Sequence, residues 1–171
     1  MTIENNDAAF DFTRLRIGSG VDVHPFREGR DLLLGGVTIP HSMGLMGHSD
    51  ADVLTHAIID AILGAAGFGD IGSMFPDSDA AYKGISSIKL LTRAWEKCRE
   101  HGMQLINIDA TVACENPKIM PHADKMRLAL SSALNIPDPG LISIKATTTE
   151  KLGFIGREEG IAAHAVVLLY R

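Results

Sequence analysis

Three residues of the chain have the types and spacing of a catalytic metal site. Asp22 and His24 stand two positions apart in the strand-like segment GVDVH, so their side chains should project from the same face. His56 lies on the edge of the apolar stripe of a helix-like segment. Two imidazoles and a carboxylate form a zinc-binding set with one open position. Ordinary half-buried polar residues are the alternative interpretation, and the spacing alone leaves both open.

The segment GHSDAD at 47–52 adds a group that could meet an anion. Ser49 is placed to open a helix, with Asp52 completing a capping box, and the amides of such a start attract phosphate. His48 could donate to a phosphate oxygen, although a simple N-cap explains the segment too. Asp52 or Asp60 could accept the ring N–H of His56.

Three loop-like segments offer further polar groups. GDIGSMFPDSD at 69–79 carries carboxylates for hydroxyls or cations, unless they are merely solvated. In 145–160, three threonines offer donors, Glu150 is a hard oxygen ligand suited to magnesium, and Arg157 could pair with phosphate. In ACENPKIMPH at 113–122, Asn116-Pro117 predicts a turn and Lys118 could meet a phosphate.

Composition limits the classes of function. The chain has 171 residues, enough for one domain, and a net charge of −5, which argues against a nucleic-acid surface. An acidic protein that binds phosphates needs local cations. Two cysteines, no signal-like start and no long apolar run predict a cytoplasmic protein that does not enter a membrane.

Periodicity predicts the elements that must position these groups. Residues 1–13 are expected to be a flexible N-terminal tail, and 14–171 a single catalytic domain. The expected strands are 15–23, 32–39, 104–113, 141–146 and 161–169, and the expected helices run from Ser49 to Gly67, from Ser86 to Glu100 and from Pro121 to Leu134. Residues 70–84 should form a loop, and 148–152 a short turn or helix. This order predicts an α+β fold, with a mixed or antiparallel sheet and helices on one face.

Taken together, these segments resemble the 2-C-methyl-D-erythritol 2,4-cyclodiphosphate synthase family. The resemblance covers GVDVHPF at 20–26, the helical segment at 47–65, GDIGSMFPDSD at 69–79, NPKIMPH at 116–122 and the stretch 145–166. Residues 1–13 lie outside it. The resemblance implies a homotrimer with its sheets toward the threefold axis and its active sites between neighbouring subunits.

The resemblance also implies roles for individual residues. It assigns zinc to Asp22, His24 and His56, and a second ion, magnesium or manganese, to Glu150, where it bridges the diphosphate. It assigns transition-state stabilisation to His48 and Thr148. The implied contacts of the methylerythritol phosphate part are Ser49, Asp70, Ile71, Gly72, Phe75, Pro76, Asp77, Ser78, Asp79, Phe154 and Arg157. The implied cytidine pocket is Cys114, Glu115, Asn116, Pro117, Lys118, Ile119, Met120, Ala146 and Thr147.

Cys114 departs from the alanine that is commoner in the family, and Glu115-Asn116 precede the proline. Because the pocket is expected to contact cytosine largely through backbone groups, we expect these departures to be tolerated. An isoprenoid diphosphate could bind an apolar channel on the threefold axis, near Phe12, Arg157 and Glu159.

The implied reaction is intramolecular. The substrate, 4-diphosphocytidyl-2-C-methyl-D-erythritol 2-phosphate, attacks its own β-phosphorus with its 2-phosphate and releases CMP. No protein nucleophile is needed, in keeping with the lack of a convincing nucleophile and base pair in the sequence. The alternatives are a zinc phosphodiesterase that uses water, and a non-catalytic trimeric nucleotide sensor.

Overall fold

Strands and helices form where apolar residues recur at two-residue or at three- and four-residue spacing. A computed structural model describes residues 11–76, 78–82 and 84–171. Its strands are β1 (Leu15–Glu28), β2 (Leu32–Leu34), β3 (Val37–Ile39), β4 (Met43–Leu45), β5 (Gln104–Ala113), β6 (Ile142–Thr147) and β7 (Gly160–Tyr170). Its helices are α1 (Val53–Ala66), α2 (Ile71–Met74), α3 (Ser87–Glu100), α4 (Ala123–Leu134) and α5 (Gly153–Gly156). Short 3-10 turns cover Phe12–Arg14, Ala80–Tyr82, Met120–His122 and Pro139–Leu141.

A mixed sheet organises the molecule. Its strand order is β4-β1-β7-β5-β6, and β2 and β3 form a separate hairpin. All neighbours in the large sheet are antiparallel except β5 and β6, which are parallel. The long pairing of β1 with β7 runs from Leu15 opposite Tyr170 to Pro25 opposite Gly160. The predicted α+β class is confirmed.

Two glycines of β1 allow the closest contact between sheet and helix. A Cβ at Gly18 would lie 1.9 Å from the Ala61 carbonyl oxygen, and one at Gly20 would lie 2.2 Å from that of Ala57. Because only glycine fits there, α1 rests directly on the β1 backbone. This close approach brings the first turns of α1 beside Asp22 on the same strand face.

The two faces of the sheet differ in burial. Alternate residues of β7, such as Ile161, Val167 and Leu169, are buried under the helices. On the opposite face of β1, Ile17 and Val21 are 73% and 62% exposed in the chain. The helices therefore cover one face of the sheet, as predicted, and leave apolar side chains on the other.

The start of α1 differs from the prediction. Ser49 does not open the helix: Asp52 is its N-cap, and the Asp52 carboxylate accepts a hydrogen bond of 3.0 Å from the Thr55 N–H. Ala51 has a φ of 59°, a left-handed conformation that cannot continue into a helix. The expected capping box is therefore wrong, and the Ser49 side chain instead accepts a hydrogen bond of 3.2 Å from the Ala51 N–H and lies 3.1 Å from His56 Nε2.

Other boundaries also shift. β1 continues past Val23 to Glu28 because β4, which the prediction lacked, pairs with its end. Within the expected loop 70–84, Asp70 caps α2 by accepting a hydrogen bond of 2.7 Å from the Ser73 N–H. The short turn or helix predicted at 148–152 is a turn, closed by a hydrogen bond of 3.0 Å from the Leu152 N–H to the Thr149 carbonyl oxygen. The positive φ of Glu150 and Lys151, 53° and 65°, precedes the helix α5, which begins only at Gly153.

The predicted helix from Ser86 to Glu100 is confirmed as α3, and Pro121 stands in the 3-10 turn that leads into α4. Of the predicted tail, residues 1–10 lie outside the described part, while Asp11 caps the turn Phe12–Arg14. Among the described residues, no helix is both long enough and apolar enough to cross a bilayer.

Candidate active site

Asp22, His24 and His56 converge on one point. The Asp22 Oδ2 atom lies 2.9 Å from His56 Nδ1 and 3.0 Å from His24 Nε2, and the two ring nitrogens are 3.2 Å apart. Donor atoms of a tetrahedral zinc with bonds of about 2.0 Å lie about 3.3 Å apart. These three residues are also the described residues whose potential ligand atoms cluster tightly enough for a metal ion. The predicted donor set is therefore assembled.

Hydrogen bonds to the far side of each ring orient the imidazoles. His24 Nδ1 lies 2.7 Å from the Met46 carbonyl oxygen, which can only accept, so Nδ1 carries the proton. The strand β4, just before Met46, places that carbonyl. In the neutral ring, the Nε2 lone pair of His24 then points at the meeting point of the three donors, as a metal ligand requires.

Ser87 and Asp50 orient His56 in the same way. The Ser87 hydroxyl donates to the Asp50 carboxylate, so its oxygen accepts from His56 Nε2 at 2.8 Å. Ser49 Oγ lies 3.1 Å from the same nitrogen. This network puts the proton on Nε2 and leaves the His56 Nδ1 lone pair facing Asp22. Asp50 also accepts from the Ser87 N–H at 2.9 Å and thereby caps α3 in place of the Ser86 side chain.

The predicted partners of His56 are wrong. Asp52 accepts hydrogen bonds from the Gly35 and Gly36 N–H groups at 2.8 and 2.7 Å, and Asp60 accepts from the Ile71 N–H at 2.7 Å. Both carboxylates are thus committed to the backbone, while the ring edge of His56 turns toward α3. The Ser86-Ser87 doublet was the sequence signal for the actual partner of His56. A helix start needs only one capping serine, so the second serine was available for another contact.

Electrostatics at the meeting point favour a positive charge. Burial raises the pKa of Asp22, but the neighbouring His24 and His56 side chains outweigh burial and hold the pKa well below its ordinary value. Burial lowers the pKa of His24, but Asp22 outweighs it and the net pKa is raised. A proton or a metal ion can supply that charge. The chemistry of the donor set fits zinc, which binds neutral imidazole and carboxylate.

Loss of the Ser87 hydroxyl should weaken metal binding. We expect Ser87→Ala to lower zinc affinity about 10- to 100-fold, the usual effect of removing a partner of a metal-bound histidine. Ser49 remains near the ring and should keep the loss at the lower end. Competition with a zinc chelator measures the affinity. Ser86→Ala is the matched control, since Ser86 makes no side-chain capping bond; equal affinities for both variants would contradict the assignment.

A cavity of about 230 Å³ opens over the three metal-ligand candidates. It brings together five residues that the sequence assigned to catalysis or to the methylerythritol phosphate part: His48, Ser49, Ile71, Gly72 and Phe75. Its wall also contains Gly47 of the GHSDAD segment, together with Tyr82, Ile85 and Leu90, which sequence reasoning missed. Tyr82 packs edge-on against Phe75, with ring centroids 5.4 Å apart, so the aromatic pair closes one side.

Other predicted contacts of the methylerythritol phosphate part lie outside this wall. Asp70 caps α2, and Asp79 accepts a hydrogen bond of 2.9 Å from the Ala81 N–H. Phe154 is 38% exposed, and Arg157 forms an ion pair of 2.8 Å with Glu159. Pro76 and Ser78 are exposed, and Asp77 lies outside the described residues. Their predicted roles remain predictions.

A second cavity, of about 140 Å³, lies where β5 and β6 end. A hydrogen bond of 2.9 Å from the Cys114 N–H to the Thr147 carbonyl oxygen ties the two strand ends together. The cavity is lined by residues that the sequence assigned to cytidine, with Thr148 at their side: Cys114, Pro117, Lys118, Ile119, Met120, Ala146, Thr147 and Thr148. Burial raises the pKa of the Cys114 thiol to about 11, so it is a small neutral group there.

Glu115 and Asn116 are absent from that lining. The Glu115 carboxylate accepts from the Thr149 and Lys151 N–H groups, and the Asn116 side-chain amide donates to Glu158 at 2.8 Å. Beside the cavity, the Thr148 hydroxyl donates to the exposed Glu150 carboxylate at 2.9 Å. Thr148 thus connects the second cavity to Glu150.

These features define a class: an α+β fold that holds an Asp-His-His metal site in the wall of a ligand-sized cavity. The chain belongs to the YgbB family, whose model matches residues 15–170. Two relatives named 2-C-methyl-D-erythritol 2,4-cyclodiphosphate synthase, from Bacillus cereus (strain ATCC 10987 / NRS 248) and Bacillus mycoides (strain KBAB4), are 57% and 56% identical over 156 residues. Each alignment covers 91% of this chain and 98% of the relative. The resemblance seen in the sequence is confirmed.

Solved structures of relatives support the same family assignment. IspF from Plasmodium falciparum, in a complex with CDP, is 36% identical with a TM-score of 0.80, and the match covers 94% of this chain and 98% of that one. The bifunctional IspDF from Campylobacter jejuni is 50% identical with a TM-score of 0.88. That match covers 91% of this chain but only 42% of the bifunctional protein.

Proposed function

We propose that the chain is a cyclodiphosphate synthase of non-mevalonate isoprenoid biosynthesis. It converts 4-diphosphocytidyl-2-C-methyl-D-erythritol 2-phosphate to 2-C-methyl-D-erythritol 2,4-cyclodiphosphate and CMP, as a phosphorus-oxygen lyase. The observation that carries this proposal is the convergence of Asp22, His24 and His56 beside a cavity, in a chain that is 57% identical, over 91% of its length, to a relative of that name.

The proposed reaction balances without a protein nucleophile. An oxygen of the 2-phosphate forms a bond to the β-phosphorus, and the bond from that phosphorus to the bridging oxygen of CMP breaks. CMP leaves with the electron pair. The chain's task is therefore to bring two anionic phosphates together in line and to stabilise the charge that shifts between them.

Repulsion between the phosphates is the main obstacle. Two unit charges 4 Å apart repel by about 1 kcal/mol in water and by about 4 kcal/mol at an effective dielectric constant of about 20. With several charges on each side, one Lys118 cannot compensate. Asp22, His24 and His56 would hold zinc and Glu150 would hold magnesium or manganese, and the bound ions would supply positive charge that screens the phosphates from each other. A single exposed carboxylate such as that of Glu150 would suit magnesium, which proteins commonly bind through one or two carboxylates.

The remaining residues bind and orient the substrate. In this proposal, Ile71 and Phe75 pack against the methylerythritol carbons in the first cavity, where His48 and Ser49 donate to phosphate oxygens. The cytidine occupies the second cavity, where backbone groups contact the base and Lys118 meets its phosphate. At the edge between that cavity and Glu150, the Thr148 hydroxyl exchanges its hydrogen bond to Glu150 for one to the phosphates when the substrate binds.

The proposed assembly is a homotrimer with its sheets toward the threefold axis. The exposed apolar residues Ile17, Val21 and Val23 on the uncovered face of β1 support it, because subunit contact would remove them from water. Active sites between neighbouring subunits then combine the first cavity of one subunit with the second cavity of another. We extend the proposal to an isoprenoid diphosphate in the axial channel, near the exposed Phe12.

A product assay tests the function and the need for metal together. With the substrate, zinc and magnesium, we expect equal amounts of cyclic diphosphate and CMP, detected by phosphorus NMR and mass spectrometry. Chelation should abolish both products, and returning the metals should restore them.

Other outcomes of the assay identify the alternatives. Open-chain phosphates that incorporate oxygen from labelled water would identify a hydrolase. Cytidine nucleotide binding with no turnover under metal-replete conditions would identify a sensor. Either result would overturn the proposed reaction.

A further inference from the structure

The turn that carries Glu150 has an unfavourable backbone conformation. Glu150 and Lys151 both adopt positive φ, 53° and 65°, which residues other than glycine rarely do in succession. Such a conformation persists only where surrounding groups stabilise it. The side chains on and beside this turn, Thr148 and Glu150, are those that the proposed function places at the phosphates.

Glu115 stabilises the turn, together with the Thr149 hydroxyl, which donates to the Leu152 carbonyl oxygen at 2.7 Å. The Glu115 Oε1 atom accepts hydrogen bonds from the Thr149 N–H at 3.0 Å and from the Lys151 N–H at 3.1 Å. One carboxylate oxygen therefore holds the amides on both sides of Glu150. The hydrogen bond from Lys151 is the largest effect that lowers the Glu115 pKa, so the group remains a carboxylate near neutral pH.

Glu115 is adjacent in sequence to residues that line the second cavity, but its own side chain does not line that cavity. Cys114 and Pro117, on either side of the Glu115-Asn116 pair, line the cavity, whereas the Glu115 side chain turns to the 149–151 amides. Thr148 lines the cavity and donates to Glu150 at 2.9 Å. A continuous path therefore runs from the loop that forms the second cavity, through Glu115, to the Thr148–Glu150 pair.

We propose that Glu115 is a positioning residue: its carboxylate holds the Thr149–Lys151 turn so that the Thr148 hydroxyl and the Glu150 carboxylate face the phosphates. This role replaces the contact with cytidine that the family resemblance implied for Glu115. It rests on the proposed function for what Thr148 and Glu150 do, while the holding of the turn rests on the contacts alone.

Hydrogen exchange tests the holding of the turn. We expect the Thr149 and Lys151 amides to exchange about tenfold faster or more in Glu115→Ala, the effect of losing one hydrogen bond to a charged group. Glu115→Gln keeps an oxygen acceptor without the charge and should lie between wild type and Glu115→Ala. The buried α1 amides should be unchanged in both variants, and Glu100→Gln at the exposed end of α3 is the matched control.

Metal dependence tests the catalytic consequence. In Glu115→Gln, the magnesium concentration for half-maximal turnover should rise about tenfold, because the charge-assisted bonds that place Glu150 are weakened. The Kd for CMP, measured by calorimetry, should stay within about twofold of wild type, because the side chain does not line the second cavity.

The exchange, binding and turnover measurements together show which part of the proposal fails. Weaker binding of CMP with unchanged exchange at Thr149 and Lys151 would indicate that Glu115 contacts cytidine, as the family resemblance implied. That result would overturn the proposal. Faster exchange throughout the chain, with a lower Tm, would show a general structural role and also overturn it. A wild-type protein that makes no cyclic product would overturn the proposed function and the catalytic part of this inference, while the exchange data would still decide whether Glu115 holds the turn.

Discussion

His56→Ala should lower turnover about a thousandfold and remove the bound zinc. His56 Nδ1 is one of three donors within 3.2 Å of one another, and two remaining donors are too few for a stable site. Loss of the ion removes charge stabilisation of several kcal/mol; about 4 kcal/mol corresponds to about a thousandfold in rate. Steady-state product formation and zinc content per chain measure the two effects.

The fold should survive this substitution. Without the imidazole, the Ser87 hydroxyl still donates to Asp50, so no buried polar group is left without a partner by the change. Circular dichroism and thermal unfolding should show a folded protein. His101→Ala, which removes an exposed imidazole at the end of α3, should keep both zinc and turnover. Full activity of zinc-free His56→Ala would exclude the proposed role of the metal.

Asp52→Ala should lower the free energy of unfolding by about 3 kcal/mol or more. The Asp52 side chain is fully buried and accepts hydrogen bonds from the Gly35 and Gly36 N–H groups and from the N–H and hydroxyl of Thr55. Removing it costs a helix cap, about 1 kcal/mol, and leaves buried donors unsatisfied at about 1–3 kcal/mol each. Urea unfolding measures the change.

A surface aspartate provides the matched comparison. Asp124 is also at the start of a helix, but its side chain is 84% exposed and forms an ion pair with Arg127, one turn away. Asp124→Ala should change the free energy of unfolding by less than about 1 kcal/mol, as exposed ion pairs contribute little. Similar losses for the two variants would refute the structural importance of Asp52.

The aspartates in GHSDAD connect this segment to several neighbouring elements. Asp50 orients His56 through Ser87 and caps α3, while Asp52 caps α1 and holds the β2–β3 hairpin. Arg30 donates to the carbonyl oxygens of Gly47 and Ser49 at 2.9 and 2.7 Å and secures the segment between them. The loop beside the metal donors is thus held from three elements, which favours preorganised binding of phosphates.

Local sequence patterns were sufficient for the fold class and for part of the site. The two-residue period of a strand is a property of the backbone, so it placed Asp22 and His24 on one face without any knowledge of the tertiary structure. The apolar spacing of 53–65 likewise identified α1 and put His56 on it. The family resemblance, spread along the chain, then joined these residues to the two regions that line the cavities.

Only the tertiary structure determined the hydrogen-bond partner of each polar group. Ser87 lies 31 residues from His56 and 37 from Asp50, and Glu115 lies 34 residues from Thr149. No local period encodes such contacts, because they depend on where the packing of α1 against Gly18 and Gly20, and the pairing of β5 with β6, bring distant segments together. A carboxylate or hydroxyl can satisfy its hydrogen-bonding capacity with any donor within about 3 Å, so its role is set by the folded neighbours and not by residue type.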